Sequence, residues 1–403
     1  MKKIITICLL LMSQQDVFSQ ARAELTPNGV VFPQFSSSNR PTNTPSNQIP
    51  LGTMIFNTTT NKHQFWNGTA WTDLVAGNTQ KPTFYVDGRN LKDPSGNTVI
   101  LKGVNKMNVW TDQDGLSIPE IAQTGANCLR IVWTTTLNGS PTNDVKLDSL
   151  ISKCIQAKMV PMVEIHDATC NLSALQVALN YWKRPQILAI IDKYKHALLL
   201  NIANEPGDWQ STAQQFEDAY KDAITQLRNA GITVPLVIDG VDCGKNLEII
   251  VQKSQILINH DPLHNLLFSV HTYWPMNNGA TPAFITAQFE AAVNANVPFI
   301  IGELSKYGAW AGNGVSVCST AGMVNYEWIA TECQRLGIGW LAWEWGPGNS
   351  GGGDPLCTVM DMTTNNTYAS LTGWGLDLAT NSTYGLITAQ KTTYIQNGFR
   401  ILN

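Results

Sequence analysis

The sequence predicts an α/β chain built around a (β/α)8 TIM barrel, preceded by a signal peptide and a small β-rich segment. Three observations carry that prediction. Eight apolar runs of strand length recur between Val99 and Trp345. Continuous apolar runs suit parallel strands covered on both faces. Helix-like stretches such as TAQQFEDAYKDAITQLRNAG separate the runs, and that alternation reads as a parallel sheet with crossover helices. No G-x-G-x-x-G follows the first run, so the doubly wound alternative lacks its fingerprint.

The chain opens MKKIITICLLLM. Lys2 and Lys3 make a basic start, Ile4 to Met12 a short apolar stretch, and Ser19, Ala21 and Ala23 offer small residues for cleavage. Residues 1–23 therefore read as a signal peptide. The stretch is too short to span a bilayer. A secreted, periplasmic or cell-surface protein with no membrane span is expected. Residues 24–80 form a small strand-turn segment and linker, rich in Asn, Thr, Pro and Ser, as in SSSNRPTNTPSNQIP. Within LGTMIFNTTTNKHQFWNGTAWTDL lie two strand-like runs with Asn67-Gly68 as a hairpin signal. Trp66 and Trp71 are expected to pack that hairpin rather than to contact sugar.

Residues 81–403 are expected to form the barrel. FYVDGRNLKDPSGNTVI reads as a hairpin ahead of it. The strands are expected at 99–105, 127–133, 160–166, 198–204, 235–240, 266–272, 298–304 and 339–345. Gly231 and Pro235 punctuate one return from helix to strand. In a barrel, chemistry gathers at the C-terminal ends of strands. Those ends are polar here. The second run carries Arg130, and the third Glu164, His166 and Asp167. The fourth carries Asn204 and Glu205, the sixth His271 and Tyr273, the seventh Glu303, and the eighth Trp343, Glu344 and Trp345. Each would be costly to bury alone. Converging on one mouth, they can satisfy one another and a substrate.

Two glutamates at the ends of strands four and seven suit glycoside hydrolysis. One carboxylic acid protonates the leaving oxygen while the other attacks the anomeric carbon; retaining enzymes hold the two about 5–5.5 Å apart. One must be protonated while the other is ionised. Arg130 near Glu303 would favour the ionised partner.

In order along the chain stand LRIV, EIHDAT, NIANEP, FSVHTYW, IIGEL and GWLAWEW. These motifs resemble glycoside hydrolase family 5, and the resemblance covers roughly Phe84 to Asn403. It implies that Glu205 is the acid/base and Glu303 the nucleophile. It implies that Asn204 binds the sugar 2-OH, that Arg130 and Tyr273 flank the nucleophile, that His166 and His271 line the same subsite, and that Trp343 is its platform. Trp110, Trp133, Trp274, Trp310 and Trp345 stand near strand ends as candidate subsite aromatics. TGANCLRIVW, LVIDG and DPLHNLLFSVHTY are most similar to the bacterial β-mannanase branch. The implied activity is retaining endo-β-1,4-mannanase, with polysaccharide (mannan, glucomannan or β-glucan) as the partner. An endo-β-1,4-glucanase is the alternative. A non-catalytic carbohydrate-binding or adhesion protein is the alternative of another class; binding alone needs neither glutamate. No cofactor and no metal are implied, and a monomer is expected. The sequence departs from the family pattern at Cys170, where glycine is expected, and at Gly302-Glu-Leu-Ser305, where Gly-Glu-Phe-Gly is expected.

Charge and cysteine usage fit this reading. The chain is 43% hydrophobic and 14% charged, with net charge −4 and no basic tract. Nucleic acid is therefore not an expected partner. Without Cys8, in the signal peptide, the chain keeps Cys128, Cys154, Cys170, Cys243, Cys318, Cys333 and Cys357. That odd set leaves at least one thiol unpaired in a monomer. No C-x-x-C occurs, which argues against zinc. Cys318 and Cys357, in Gly/Ser-rich stretches, are the expected disulfide, and Cys128 is expected to be a buried thiol.

Overall fold

The structure, a computed structural model, describes residues 24–26, 29–74, 81–308, 316–349 and 355–401. The expected signal peptide, residues 75–80 of the linker and Trp310 lie outside the described residues. The chain divides into two compact units after Thr79. Among the described residues no helix is long and apolar enough to cross a membrane.

In the first unit, Glu24–Thr26 pairs antiparallel with Gly29–Val31. Four further strands, Gln34–Phe35, Met54–Asn57, Lys62–Trp66 and Trp71–Asp73, form a sheet in that order. Asn67-Gly68 turns the hairpin as expected. Gly68 takes φ +97°, and the Asn67 side chain accepts from the amides of Thr69 and Ala70. The register sets Trp66 opposite Trp71, with the rings edge-on at 5.7 Å. The Trp71 indole donates to the Pro41 carbonyl. Both tryptophans pack the hairpin, as the sequence suggests. Among the described residues, the buried apolar side chains of this unit are Ile49, Ile55 and Trp66, a very small core.

The second unit opens with the expected hairpin, Tyr85–Asp87 against Asn90–Lys92. Then come β1 (Lys102–Lys106), β2 (Cys128–Trp133), β3 (Val160–Ile165), β4 (Leu199–Asn201), β5 (Leu236–Asp239), β6 (Leu266–His271), β7 (Phe299–Leu304) and β8 (Gly339–Ala342). All are parallel to their neighbours and close into a barrel, with β8 against β1. Seven of the expected runs contain their strands, and β1 runs one residue past its expected end at Asn105. Two strands stop early: β4 ends at Asn201 and β8 at Ala342. Glu205 and Trp343 therefore stand on loops beyond the ladder rather than on it.

The barrel interior is layered. Alternate residues of a strand point to the same face. Near the N-terminal ends, Cys128, Met162, Leu199, Val237 and Leu267 belong to one buried apolar cluster. Phe84, Tyr394 and Phe399 close that end with rings in mutual contact. Two residues further along the same strands stand Arg130, Glu164, Asn201, Asp239 and Ser269, all buried. The interior thus turns from apolar to polar towards the C-terminal mouth.

Helices cover the outside. Asp144–Gln156, Ala213–Asn229, Leu247–His260, Pro282–Asn294 and Tyr326–Leu336 each start after a residue whose side chain accepts from the first-turn amides: Asn143, Thr212, Asn246, Thr281 and Asn325. Such caps meet amides that the helix itself leaves without partners. On Ala213–Asn229, Phe216, Tyr220, Ala223, Ile224 and Leu227 form the buried stripe, as helical periodicity requires.

Two disulfides tie the loops at the mouth. Cys318–Cys357 joins the segments after β7 and β8, as expected. Cys170–Cys243 joins the loops after β3 and β5, a pairing that the sequence did not reveal. Cys170 has φ +57°. That left-handed conformation explains why the family pattern has glycine there; in this chain the disulfide holds a cysteine in it. Cys128, Cys154 and Cys333 are free and buried.

Cys170 and Cys243 lie 73 residues apart. Replacing both with Ser should lower barrel stability by about 2–4 kcal/mol, seen as a lower denaturant midpoint. An unchanged midpoint would show that the crosslink does not hold the fold.

Candidate active site

The polar layer is built around Arg130. Its guanidinium is fully buried. Nε donates to Asn201 Oδ1 at 2.9 Å, Nη1 to Asn105 Oδ1 at 2.9 Å and to Glu303 Oε1 at 2.8 Å, and Nη2 to Asn204 Oδ1 at 2.8 Å and Asp239 Oδ2 at 3.4 Å. Side chains from β1, β4, β5, β7 and the loop after β4 thus share one cation. The alternation of the strands brings them together, since each is an inward position at the mouth.

Glu303 has both oxygens engaged. Arg130 donates to Oε1, and Tyr273 Oη donates to Oε2 at 2.7 Å. Each oxygen of the carboxyl group thus meets a donor of its own. An irregularity between Val270 and His271 sets His271 beside Glu303 in the ladder. Bulges of this kind re-aim side chains at active sites. Gly302 has to be glycine: a Cβ there would lie 2.1 Å from Ser269 Oγ and 2.9 Å from His271 Nε2.

Glu205 is held differently. Its φ is +46°, an unusual conformation for a residue with a side chain. Its amide donates to Asp239 Oδ2 at 3.0 Å, and its carbonyl accepts from the Cys170 amide at 2.8 Å. Its Oε1 lies 2.7 Å from His271 Nδ1. His271 Nδ1 is also 3.5 Å from Glu303 Oε1, and Nε2 is 3.5 Å from Asp239 Oδ2. Burial disfavours the charged ring, but Glu303, Asp239 and Glu205 outweigh it and lift His271 to about 9. One oxygen of Glu205, one of Glu303 and a ring nitrogen of His271 all lie within 4.8 Å of one another.

On the other side of the mouth stand His166 and Trp343. Their rings stack at 5.8 Å, and Trp110 meets His166 edge-on at 5.5 Å. His166 Nδ1 is 2.9 Å from Glu164 Oε1. Burial works against its charge, yet Glu164 and Glu303 raise it above the usual value. Asn204 Nδ2 donates to Thr169 Oγ1 at 2.9 Å and lies 3.4 Å from His166 Nε2. The Trp343 indole donates to Asn349, whose side chain donates to Asp361.

The structure therefore brings Arg130, His166, Asn204, Glu205, His271, Tyr273, Glu303 and Trp343 to one mouth. Trp110 and Trp274 also face it, the former well exposed. Two sequence-based expectations need correction. Trp133 is buried in the core with its indole donating to Thr142 and Tyr181, and Trp345 is buried with its indole donating to the Asn366 carbonyl. Neither can stack on a ligand, because protein covers both faces.

Sequence reasoning missed Asn105, Asn201 and Asp239. Their signal was present: each is a polar residue that interrupts or ends an apolar run. Asp167 and Glu344 have structural roles. Asp167 accepts from the amide and hydroxyl of Thr135, and Glu344 accepts from the Met107 amide. Burial pushes Glu344 up to about 7.

Among the described residues, Glu205, His271 and Glu303 could converge on a metal ion. Arg130, 2.8 Å from Glu303, opposes a second cation there. A cavity of about 820 Å³ opens beside Glu205, with Tyr273, Trp274, Trp209 and Lys245 among its walls.

Removing one partner from a buried ion pair costs about 3–5 kcal/mol. Arg130→Ala should lose that much stability in denaturant unfolding, together with activity. Arg130→Lys keeps the charge but not the planar fork, and should recover only part. Full recovery by lysine would show that charge, not geometry, organises this layer.

Over residues 92–349 the chain matches the family described as cellulase (glycosyl hydrolase family 5). Over residues 16–86 it matches a phage tail like trimerisation region. It is 33% identical over 296 residues to a mannan endo-1,4-beta-mannosidase of Salipaludibacillus agaradhaerens, covering 72% of this chain and 89% of that one. It is 30% identical over 308 residues to a mannan endo-1,4-beta-mannosidase of Cellvibrio japonicus, covering 75% of this chain and 67% of that one. Among solved structures, a mannotriose complex of Thermomonospora fusca beta-mannanase is similar with a TM-score of 0.67 and 26% identity, covering 78% of this chain and 99% of that one. The family match runs from before β1 to beyond β8 and takes in the whole polar layer. The chain belongs to glycoside hydrolase family 5.

Proposed function

We propose that the barrel is a retaining endo-β-1,4-mannanase that is secreted and cleaves mannan-type polysaccharide. One observation carries the mechanism: two carboxyl groups meet at the mouth, with one oxygen of each within 4.8 Å of the other. That spacing suits double displacement rather than inversion, which needs room for a water between the acids.

In this reading Glu303 attacks the anomeric carbon and forms the glycosyl-enzyme. The bond to the leaving oxygen breaks as Glu205 gives it a proton. Water then attacks the same carbon, gives its proton to Glu205, and releases Glu303 as carboxylate. The hydrogen bonds favour this division of labour. Glu303 faces two donors, Arg130 and Tyr273. Glu205 meets neither of those donors; its Oε1 lies 2.7 Å from His271 Nδ1. The family resemblance gives the sugar 2-OH to Asn204, has His166 and His271 line the same subsite, and makes Trp343 its platform.

The substrate choice rests on the mannosidase relatives and on the beta-mannanase structure. The family description, cellulase, keeps endo-β-1,4-glucanase as the alternative. Mannose and glucose differ at C2, an axial against an equatorial hydroxyl. A panel of mannan, glucomannan, β-glucan and xylan with product sizing tests the reading. Internal cleavage of mannan is expected; hydrolysis of cellulose without mannan would reverse the choice. Glu205→Ala should lower polysaccharide turnover by about 10²–10⁴-fold and affect activated aryl glycosides far less. Glu303→Ala should abolish both, with azide restoring turnover to an inverted product. Equal loss on both substrates in the Glu205 variant would defeat its assignment as the acid.

A second reading concerns assembly. The match to a trimerisation region, and a first unit with so small a core, favour a trimer of barrels over the expected monomer. Units this small often need oligomerisation to be stable. Light scattering on the exported protein should give the mass of three chains, and N-terminal sequencing a start after residue 23. A single-chain mass would support the monomer.

A further inference from the structure

We propose that Trp209, on the loop after β4, is a stacking platform for the sugars on the leaving-group side of the cleaved bond, in a binding site that Lys245 and Asp242 complete. The inference rests on the endo-glycanase reading of the mouth.

The side is set by which carboxyl group the cavity reaches. Glu205 and Tyr273 line it, whereas Glu303 is not among its described walls. The attacked carbon must lie at Glu303. The oxygen that Glu205 protonates, and the chain attached to it, must depart past Glu205. The cavity therefore lies on the leaving-group side. His166 and Trp343, stacked beside Asn204, mark the opposite side. A volume of about 820 Å³ falls in the range of pockets that enclose a small-molecule ligand.

The wall carries an indole that the fold does not use. Trp209 is 76% exposed and lines the cavity beside Glu205, so the flat apolar face of its indole is open to a sugar ring there. Trp274 differs: its indole donates to the Lys245 carbonyl, and its ring leans on Phe284 and Phe289. It is a half-buried floor. Lys245 and Asp242, paired at 3.4 Å and partly exposed, add polar groups able to meet sugar hydroxyls.

The platform is also rigid. The loop after β4 is stitched to the loop after β5: the Asp242 amide donates to the Asp208 carbonyl at 3.1 Å, and the Cys243 amide to the Gly207 carbonyl at 2.8 Å. The Asp208 carboxylate accepts from the Gln210 amide and the Ser211 hydroxyl. The Cys170–Cys243 disulfide pins the same wall to the loop after β3. Gly207 has φ +95°, and a Cβ there would lie 2.9 Å from Val241. A backbone this fixed spares the cost of ordering the loop when a ligand covers the indole.

A site that holds the departing sugars also holds an incoming one. When its hydroxyl replaces water, the hydroxyl proton passes to Glu205, its oxygen bonds the anomeric carbon, and Glu303 leaves as carboxylate. Trp209 should thus favour transfer to sugar over hydrolysis.

The test compares wild type, Trp209→Ala and Trp209→Phe on two substrates. One is mannohexaose, cleaved in ¹⁸O-water with products weighed to locate the bond broken. The other is an aryl β-mannobioside, whose small phenol cannot span the cavity. Trp209→Ala should lower kcat/KM on mannohexaose by about tenfold more than on the aryl substrate, about 1.4 kcal/mol. It should shift cleavage towards the reducing end and suppress transfer products. Trp209→Phe should restore much of each. Equal effects on both substrates, or none, would overturn the platform while leaving the glycanase reading intact. A wild type inactive on both would overturn the glycanase reading itself.

Discussion

A fully buried guanidinium organises this barrel. Removing Arg130 from water costs several kcal/mol unless its donors are met. They are met by Asn105, Asn201, Asn204, Asp239 and Glu303. Those partners come from four strands and the loop after β4. Barrel closure is what makes this possible, since only a closed ring points all the strand ends at one spot. The dependence runs both ways. Asp239 and Glu303 are buried carboxylates, and without the cation they would be stranded charges in a low dielectric.

The apolar lower layer lets this polar layer exist. Cys128, Met162, Leu199, Val237 and Leu267 fill the interior below, and Phe84, Tyr394 and Phe399 seal its end. Water therefore reaches the polar groups only from the mouth. That one-sided access strengthens the charges around Glu303 and His271, while leaving room for a substrate. The outer helices bury apolar stripes against the strands and leave the mouth to loops.

The two glutamates differ because their backbones differ. Glu303 stands on a strand, in the ladder, beside Arg130. Glu205 stands on a loop in a left-handed conformation, which costs about 1–3 kcal/mol. Asp239 accepts from its amide, the Cys170 amide donates to its carbonyl, and the Cys170–Cys243 disulfide clamps the neighbouring loops. Stitching of this density keeps the unusual conformation in place. The same stitching presents Trp209 at the rim.

Much was legible in the sequence alone. Eight apolar runs and intervening helical patterns determined a barrel, because both signals depend only on local periodicity. Arg130, Asn204, Glu205, His271, Tyr273 and Glu303 could be read as site residues, since each interrupts or ends an apolar run. Cys318–Cys357 was readable from loop composition. Tertiary structure alone decided the rest. Trp133 and Trp345 look like Trp110 in the sequence, yet two are core and one is exposed; burial depends on what packs from other strands. Cys170–Cys243 pairs loops two strands apart, and nothing local to either cysteine encodes that approach. Asp239 looked like the end of a strand, and becomes the support of Glu205 only because β4 and β5 are neighbours with β6 behind them. Periodicity is a property of a segment, whereas convergence is a property of the closed ring.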